Sequence, residues 1–204
     1  MKLFYNETSP FARKVRVALH EMGLADRVEA ILTDPFAATP PSELLAANPL
    51  SRIPTLITDE GLALPDSSLI LEWLQGTQVA RLPEESARWP AARRAKIADG
   101  ILEAAVATVV EKRRPESIIM PAALDRHAHA IERALDMLAL EANALGDPEA
   151  RPSVANLITG VALAYLDLRM PYLNWRQRAP TLVEWFDAFS ARPSMQATQP
   201  PASK

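Results

Sequence analysis

"FYNETSPFARKVRVALHEMG" (residues 4–23) joins a strand to a helix through a turn that carries a hydroxyl, a proline and then three cations. The run "KLFY" (2–5) reads as a short buried strand. Beyond the turn, Phe11, Val15, Ala18 and Met22 recur at helical spacing and define one apolar face, which Gly23 stops. Pro10 is preorganised for the first helical position, so spacing alone makes Ser9 an N-cap. A hydroxyl at that place has a second capacity. It can accept from a backbone N–H and still hold a proton to donate, while the unpaired N–H groups of a helix start favour an anion. The residues by themselves leave Ser9 open between a cap and a ligand contact, and Thr8 and Asn6 compete for the donor role. Arg13, Lys14 and Arg16 add positive potential, although each taken singly reads as a solvated charge.

Outward from that stretch, "RVEAIL" (27–32) predicts a second strand, "PSELLAAN" (41–48) a short helix and "TLIT" (55–58) a third strand. Asp59-Glu60-Gly61 makes a tight turn into "LAL" (62–64), and "DSSLILEWL" (66–74) closes the unit as a helix. The order βαβ, helix, β-hairpin, helix predicts an α/β domain over residues 1–76. Residues 77–85 read as a linker. From Ser86 onward the apolar spacing is helical. A helix over 86–114 precedes one long helix whose stripe is Leu124, Ala128, Ile131, Leu135, Leu138, Ala142 and Leu145, and further helices lie near 153–168 and 180–191. An all-α domain over 86–204 is therefore expected.

Composition removes several classes of function. The chain has 204 residues, 49% of them hydrophobic, with 22 basic against 25 acidic residues and a net charge of −3. Phosphate recognition needs clustered cations on a basic domain, so nucleic acid is not expected as a partner. No apolar run approaches the roughly 20 residues that span a bilayer, and "MKLFYNETSP" lacks the apolar core of a signal peptide. A soluble cytoplasmic protein with no membrane partner is expected. With no cysteine, disulfides, thiolate-held metals and CxxC chemistry are absent, and any reacting sulfur is brought in. His127 and His129 stand two apart, which on a helix points them to different faces, so both read as exposed and no metal is expected.

Four stretches carry a family resemblance over nearly the whole chain: "YNETSPFARKVRVAL" after the first strand, "NPLSRIPTL" (48–56), "LPDSSLILEWL" (64–74), and "RPSVANLITGVAL" (151–163) followed by "APTLVEWFDAFSARPS". In these the sequence is similar to the soluble glutathione transferases, and within them to bacterial members with a serine in the SPF-type turn. The resemblance implies a thioredoxin-like N-terminal domain, an all-helical C-terminal domain, a homodimer, and glutathione as co-substrate without a metal. It also implies roles for particular residues. Ser9 would hold the thiolate. Lowering a thiol pKa from about 8.5 to about 6.5 takes roughly 2.7 kcal/mol, which a charge-assisted hydrogen bond of about 1.5–3 kcal/mol and a helix end of about 0.3–1 kcal/mol supply together.

A proline inside an otherwise β-branched run is tolerated mainly at strand starts, where a trans bond is the ordinary choice. The resemblance instead implies that Pro54 is cis and that Ile53 offers its main-chain N–H and C=O to the cysteinyl backbone of glutathione like an added strand. Arg52 is either an exposed arginine or a partner for the glycyl carboxylate. At "PDSS", Asp66 is a good helix cap and Ser67 a plain first-turn residue; the resemblance adds a γ-glutamyl pocket in which Asp66 takes the ammonium and Ser67 the carboxylate. Asp66 stands where many members carry the longer glutamate. "SVAN" (153–156) matches a Ser/Thr-x-x-Asp capping box with Asn156 in the acidic place, a departure that touches stability more than function.

A small hydrophobic electrophile is expected between Phe11, Phe36 and the helix bearing Asp99, Glu103, Val106, Arg113 and Arg114, with Asp99 near the neighbouring subunit's glutathione. The implied activity is attack of the glutathione thiolate on that electrophile, by conjugation or in peroxide reduction. With no cysteine in the turn, the thiol-transfer chemistry of cysteine-type relatives is not expected. The other reading keeps the fold without turnover, as a binding or regulatory protein; a chain that had abandoned glutathione would have no reason to keep Ile53, Pro54 and Ser67 together.

Overall fold

The computed structural model describes residues 1–77 and 85–201. Among these the chain forms two compact units, one from residues 1–77 with 193–201 and one from residues 85–192. Most of the linker expected at 77–85 lies outside the described residues.

The first unit runs β1 (Lys2–Tyr5), α1 (Pro10–Glu21), β2 (Glu29–Leu32), α2 (Ser42–Ala47), β3 (Thr55–Ile57), β4 (Ala63–Pro65) and α3 (Ser67–Thr77). Its four strands are ordered β2-β1-β3-β4; β1 and β2 are parallel, while β1–β3 and β3–β4 are antiparallel. A parallel pair needs a crossover, which α1 supplies, and an antiparallel pair needs only the turn at Asp59–Gly61. Leu3, Phe4 and Leu56 from the sheet pack in a core with Val15, Ala18 and Leu19 of α1 and Ile70, Leu71 and Leu74 of α3. At the end of α1, Gly23 takes φ +67°, which lets the Leu24 N–H reach back to the Leu19 carbonyl at 2.8 Å. The second strand starts at Glu29, two residues later than its sequence suggests, because Ala25–Arg27 close a 3₁₀ turn.

The second unit contains α4 (Glu85–Glu111), α5 (Pro121–Leu140), α6 (Val154–Arg169), α7 (Trp175–Arg178) and α8 (Val183–Ser190). Helix α6 is its axis: it is buried almost continuously from Ala155 to Leu166 and packs against α4 and α8. The long stripe expected through Leu145 is interrupted. Helix α5 stops at Leu140, and Leu145 reaches the core from a separate 3₁₀ turn over Ala142–Leu145. The stretch 180–191 is likewise split into a 3₁₀ turn and α8. His127, expected in solvent, is half-buried, and its Nδ1 lies 3.3 Å from the Thr108 hydroxyl. No helix among the described residues is long and apolar enough to cross a membrane.

The departure at Asn156 has a cause. Ser153 caps α6 by accepting the Asn156 N–H at 3.2 Å, and its hydroxyl donates to Asn156 Oδ1 at 2.5 Å, where a capping box would engage the Ser153 N–H instead. The Asn156 amide then donates to the Leu145 carbonyl at 2.7 Å, a bond an ionised aspartate could not make.

The chain after Arg192 rejoins the first unit as α9 (Pro193–Ala197), which packs on α1. Two cations of α1 depart from their sequence reading. Arg13 and Lys14, which singly read as solvated charges, are both buried, and the Arg13 guanidinium donates to the Met195 carbonyl at 3.1 Å.

At Gly160, α6 and α8 approach so closely that a Cβ would stand 2.4 Å from the ring of Phe189. That ring is fully buried and stacked on Trp185 at 4.7 Å, so it has nowhere to retreat. Gly160→Ala should destabilise the protein by about 1–3 kcal/mol, read as a lower urea midpoint, although alanine is the better helix former.

Candidate functional site

Register decides which ends of the sheet meet. Phe4 of β1 pairs with Thr55 of β3, and Thr55 pairs in turn with Pro65 of β4. The exit of β1, the entrance of β3 and the exit of β4 therefore share one edge, with neighbouring strands about 4.8 Å apart. The turn before α1, the segment before Thr55 and the start of α3 all open from that edge. It thus brings together Ser9, Ile53-Pro54 and Asp66-Ser67, which are distant in sequence.

In the first of these turns the polar groups are already divided. Asn6 donates to the Thr33 carbonyl at 3.2 Å, and its Oδ1 accepts both the Thr8 N–H at 3.0 Å and the Thr8 hydroxyl at 2.8 Å. The Thr8 proton is thereby engaged. Ser9 is the N-cap of α1: its Oγ accepts the Ala12 N–H at 3.3 Å, an arrangement that leaves its own proton to be donated elsewhere. Arg16 stands over the Tyr5 ring at 4.9 Å from its centre.

The segment before β3 is shaped by a residue the sequence reading passed over. Asn48, 1% exposed, donates to the Arg52 carbonyl at 3.1 Å and to the Thr55 hydroxyl at 3.0 Å, and accepts the Leu50 N–H at 3.0 Å. Thr55 Oγ1 donates to the same Arg52 carbonyl at 2.8 Å. These bonds close a loop in which Ser51 takes φ +53° and Ile53-Pro54 is cis. Neither the N–H nor the C=O of Ile53 is hydrogen-bonded among the described residues, so the loop presents an open backbone edge. The signal was present in "NPLS", where an asparagine before a turn is suited to accept a backbone N–H two residues on.

Asp66 is a non-glycine residue at φ +81°. It holds this unfavourable conformation while its Oδ1 accepts the Ser68 N–H at 2.8 Å and the Leu69 N–H at 3.3 Å, so the carboxylate is exposed and caps α3. Ser67 follows as the first helical residue. It is 3% exposed, and its hydroxyl has no hydrogen-bond partner among the described residues.

The other expected residues are less concentrated. The Arg52 side chain is exposed and makes no ion pair among the described residues. Phe36 is 60% exposed and Phe11 half-buried, both in the first unit. Asp99, Glu103 and Val106 lie on α4 and Arg113 and Arg114 just beyond it, all in the second unit. Asp99 is 4% exposed with the Lys96 ammonium at 3.4 Å.

Comparison with known proteins agrees with this architecture. Residues 8–77 match the family model for the glutathione S-transferase N-terminal domain, and residues 121–188 that for the C-terminal domain. The chain belongs to the glutathione S-transferase family. It is 32% identical to the uncharacterized GST-like protein YibF of Escherichia coli K12, over 98% of this chain and 99% of that one. A glutathione transferase family member from Pseudomonas fluorescens Pf-5, solved with bound glutathione, superposes with a TM-score of 0.88 at 38% identity, with 98% of each chain covered. A second structure of a family member from that strain, with bound S-(propanoic acid)-glutathione, gives 0.85 at 38% identity over 98% of this chain and 100% of that one.

Proposed function

We propose that this chain is a serine-type glutathione transferase that binds glutathione along the shared sheet edge and converts its thiol to the thiolate for attack on a small hydrophobic electrophile. The carrying observation is the register that brings Ser9, the open Ile53 backbone and the start of α3 to one edge. Glutathione has the matching groups. Its γ-glutamyl carboxylate suits the hydroxyl and N–H of Ser67, its ammonium suits Asp66, and its cysteinyl backbone suits Ile53 as an added strand, with Pro54 setting the loop. Arg52 is placed in sequence to meet the glycyl carboxylate.

The sulfur then falls to Ser9. Thr8 is the weaker candidate because its proton already goes to Asn6. Ser9 Oγ, receiving the Ala12 N–H, is polarised toward donation, and the positive end of the α1 dipole, with the Phe11 N–H unpaired among the described residues, favours the same negative charge. The thiolate attacks an electrophilic carbon and forms a thioether as a leaving group departs or, at an activated double bond, as the adjacent carbon takes up a proton; with a peroxide it attacks one oxygen, the O–O bond breaks to release an alcohol, and a second glutathione converts the resulting sulfenic acid to the disulfide and water. Glutathione bound by the Pseudomonas relative, and the carboxyalkyl thioether bound by the same family member, support both halves of the reading: the co-substrate, and room for a substituent on its sulfur. The protein acts as a cytoplasmic homodimer. The alternative, a glutathione-binding protein without turnover, uses the same edge and parts from the transferase only at Ser9.

Glutathione should raise the melting temperature, with a stabilisation of about 2.7 kcal/mol at a hundredfold excess over its dissociation constant. Ser67→Ala should reduce that shift through loss of a carboxylate partner; an unchanged affinity would mean that the γ-glutamyl end binds elsewhere. Sedimentation should give twice the 22.4 kDa chain mass, and a monomer at micromolar concentration would remove the dimer. Ser9→Ala should still bind glutathione at low pH. Its bound thiol should titrate higher by ultraviolet thiolate absorbance, and conjugation should slow by about ten- to a hundredfold. Superimposable titration curves with unchanged turnover would reduce Ser9 to a helix cap.

A further inference from the structure

Helix α1 is held near each of its ends by the same distant segment. In its first turn, Arg13 passes beneath the surface to the Met195 carbonyl of α9, 182 residues along the chain, at 3.1 Å. At its last residue, Glu21 accepts the Ser194 hydroxyl. Thr198 fastens α9 itself by donating to the Ser194 carbonyl at 2.8 Å. Arg13 is also tied to the turn of interest, since its N–H donates to the Ser9 carbonyl at 2.9 Å.

Arg13 is an expensive residue for simple packing. It is 7% exposed, its Nε is buried without a hydrogen-bond partner, and it has no carboxylate among the described residues. Burial, and then the nearby charge of Arg16, push its guanidinium down to about 10, so it remains cationic at neutral pH. A buried cation satisfied by one neutral carbonyl is costly to keep, and an apolar side chain of similar volume would fill the space more cheaply. What the guanidinium adds is a directional link between the first turn of α1 and the backbone of α9. The turn that it steadies carries the Ser9 hydroxyl and the positive end of the α1 dipole.

We propose that Arg13 is a positioning residue for the Ser9 turn, acting through the clasp that Met195 and Ser194 of α9 form along α1. The clasp fixes α1 along its axis and so fixes the distance from the Ser9 Oγ to a sulfur bound at the sheet edge. Misplacement by a fraction of an ångström weakens the bond to the thiolate more than it weakens binding of the rest of the tripeptide. This inference rests on the assignment of the sulfur to Ser9.

The test is the ultraviolet titration of the bound glutathione thiol, with kcat and KM for a generic electrophile, in Arg13→Met, Arg13→Lys, Ser194→Ala and Ser9→Ala at a temperature where each is folded. Arg13→Met should raise the bound thiol's pKa by about one unit and lower kcat about tenfold, with KM for glutathione nearly unchanged, and Arg13→Lys should recover part of both. Ser194→Ala retains the charge of Arg13 and removes one clasp bond; it should shift the pKa in the same direction by less, and it carries the test if Arg13→Met does not fold. A lowered melting temperature with wild-type titration and kcat in the Arg13 and Ser194 variants would make the clasp purely structural and overturn the proposal. If those variants shift while Ser9→Ala does not, the sulfur does not belong to Ser9, and the proposal that Arg13 acts through the Ser9 hydroxyl is overturned together with that assignment. If only Ser9→Ala shifts, the clasp fails and the Ser9 assignment survives.

Discussion

The antiparallel pairing of β3 with both β1 and β4 is the constraint on which the first unit depends. It aligns Phe4, Thr55 and Pro65 across three strands, and every candidate ligand group enters from the loop next to one of them. Side chains on a strand alternate faces, so a slip of one residue in β3 would turn Leu56 out of the core. The buried face thus locks the register, and the register locks the edge where Ser9, Ile53 and Ser67 converge. The candidate residues are thus brought together by the same apolar contacts that stabilise the sheet.

Around that edge, buried asparagine and threonine groups do the shaping while serines are left to act. Asn6 takes up the Thr8 hydroxyl, and Asn48 with Thr55 takes up the carbonyl of Arg52, so the local backbone demands are met from inside the protein. Ser9 and Ser67 keep donor capacity, and Ile53 keeps an open peptide. Polar groups held near a ligand but already satisfied cost nothing when the ligand arrives, whereas those left open have an incentive to be filled. Asp66 shows the same economy in one side chain: it caps α3 and, from a strained backbone, still presents an exposed carboxylate.

In the helical unit, close approach replaces register as the organising device. Small residues on α6 let α4 and α8 come near, and Phe189 occupies the space that Gly160 leaves open. Asn156 ties the start of this central helix to the 3₁₀ turn at Leu145, which accounts for an amide where the related pattern has an acid.

Local chemistry was legible from the residues alone wherever it acts over a few positions. The Ser9-Pro10 cap, the strand at Lys2–Tyr5, the hairpin through Gly61 and the helix start at Asp66 all follow from side-chain period, proline geometry and capping, which need no distant partner. The same local pattern could not divide the work between Thr8 and Ser9, because that is decided by Asn6, whose orientation depends on Thr33 across the β1–β2 pair. Nor could it foresee that Arg13 is buried against α9, which packs on α1 and comes from a segment 182 residues further along the chain. Periodicity reports which face of an element is apolar and is silent on what covers the other faces. Tertiary structure alone decides this, because the contacts that bury a charge or engage a hydroxyl are made by residues far away in sequence.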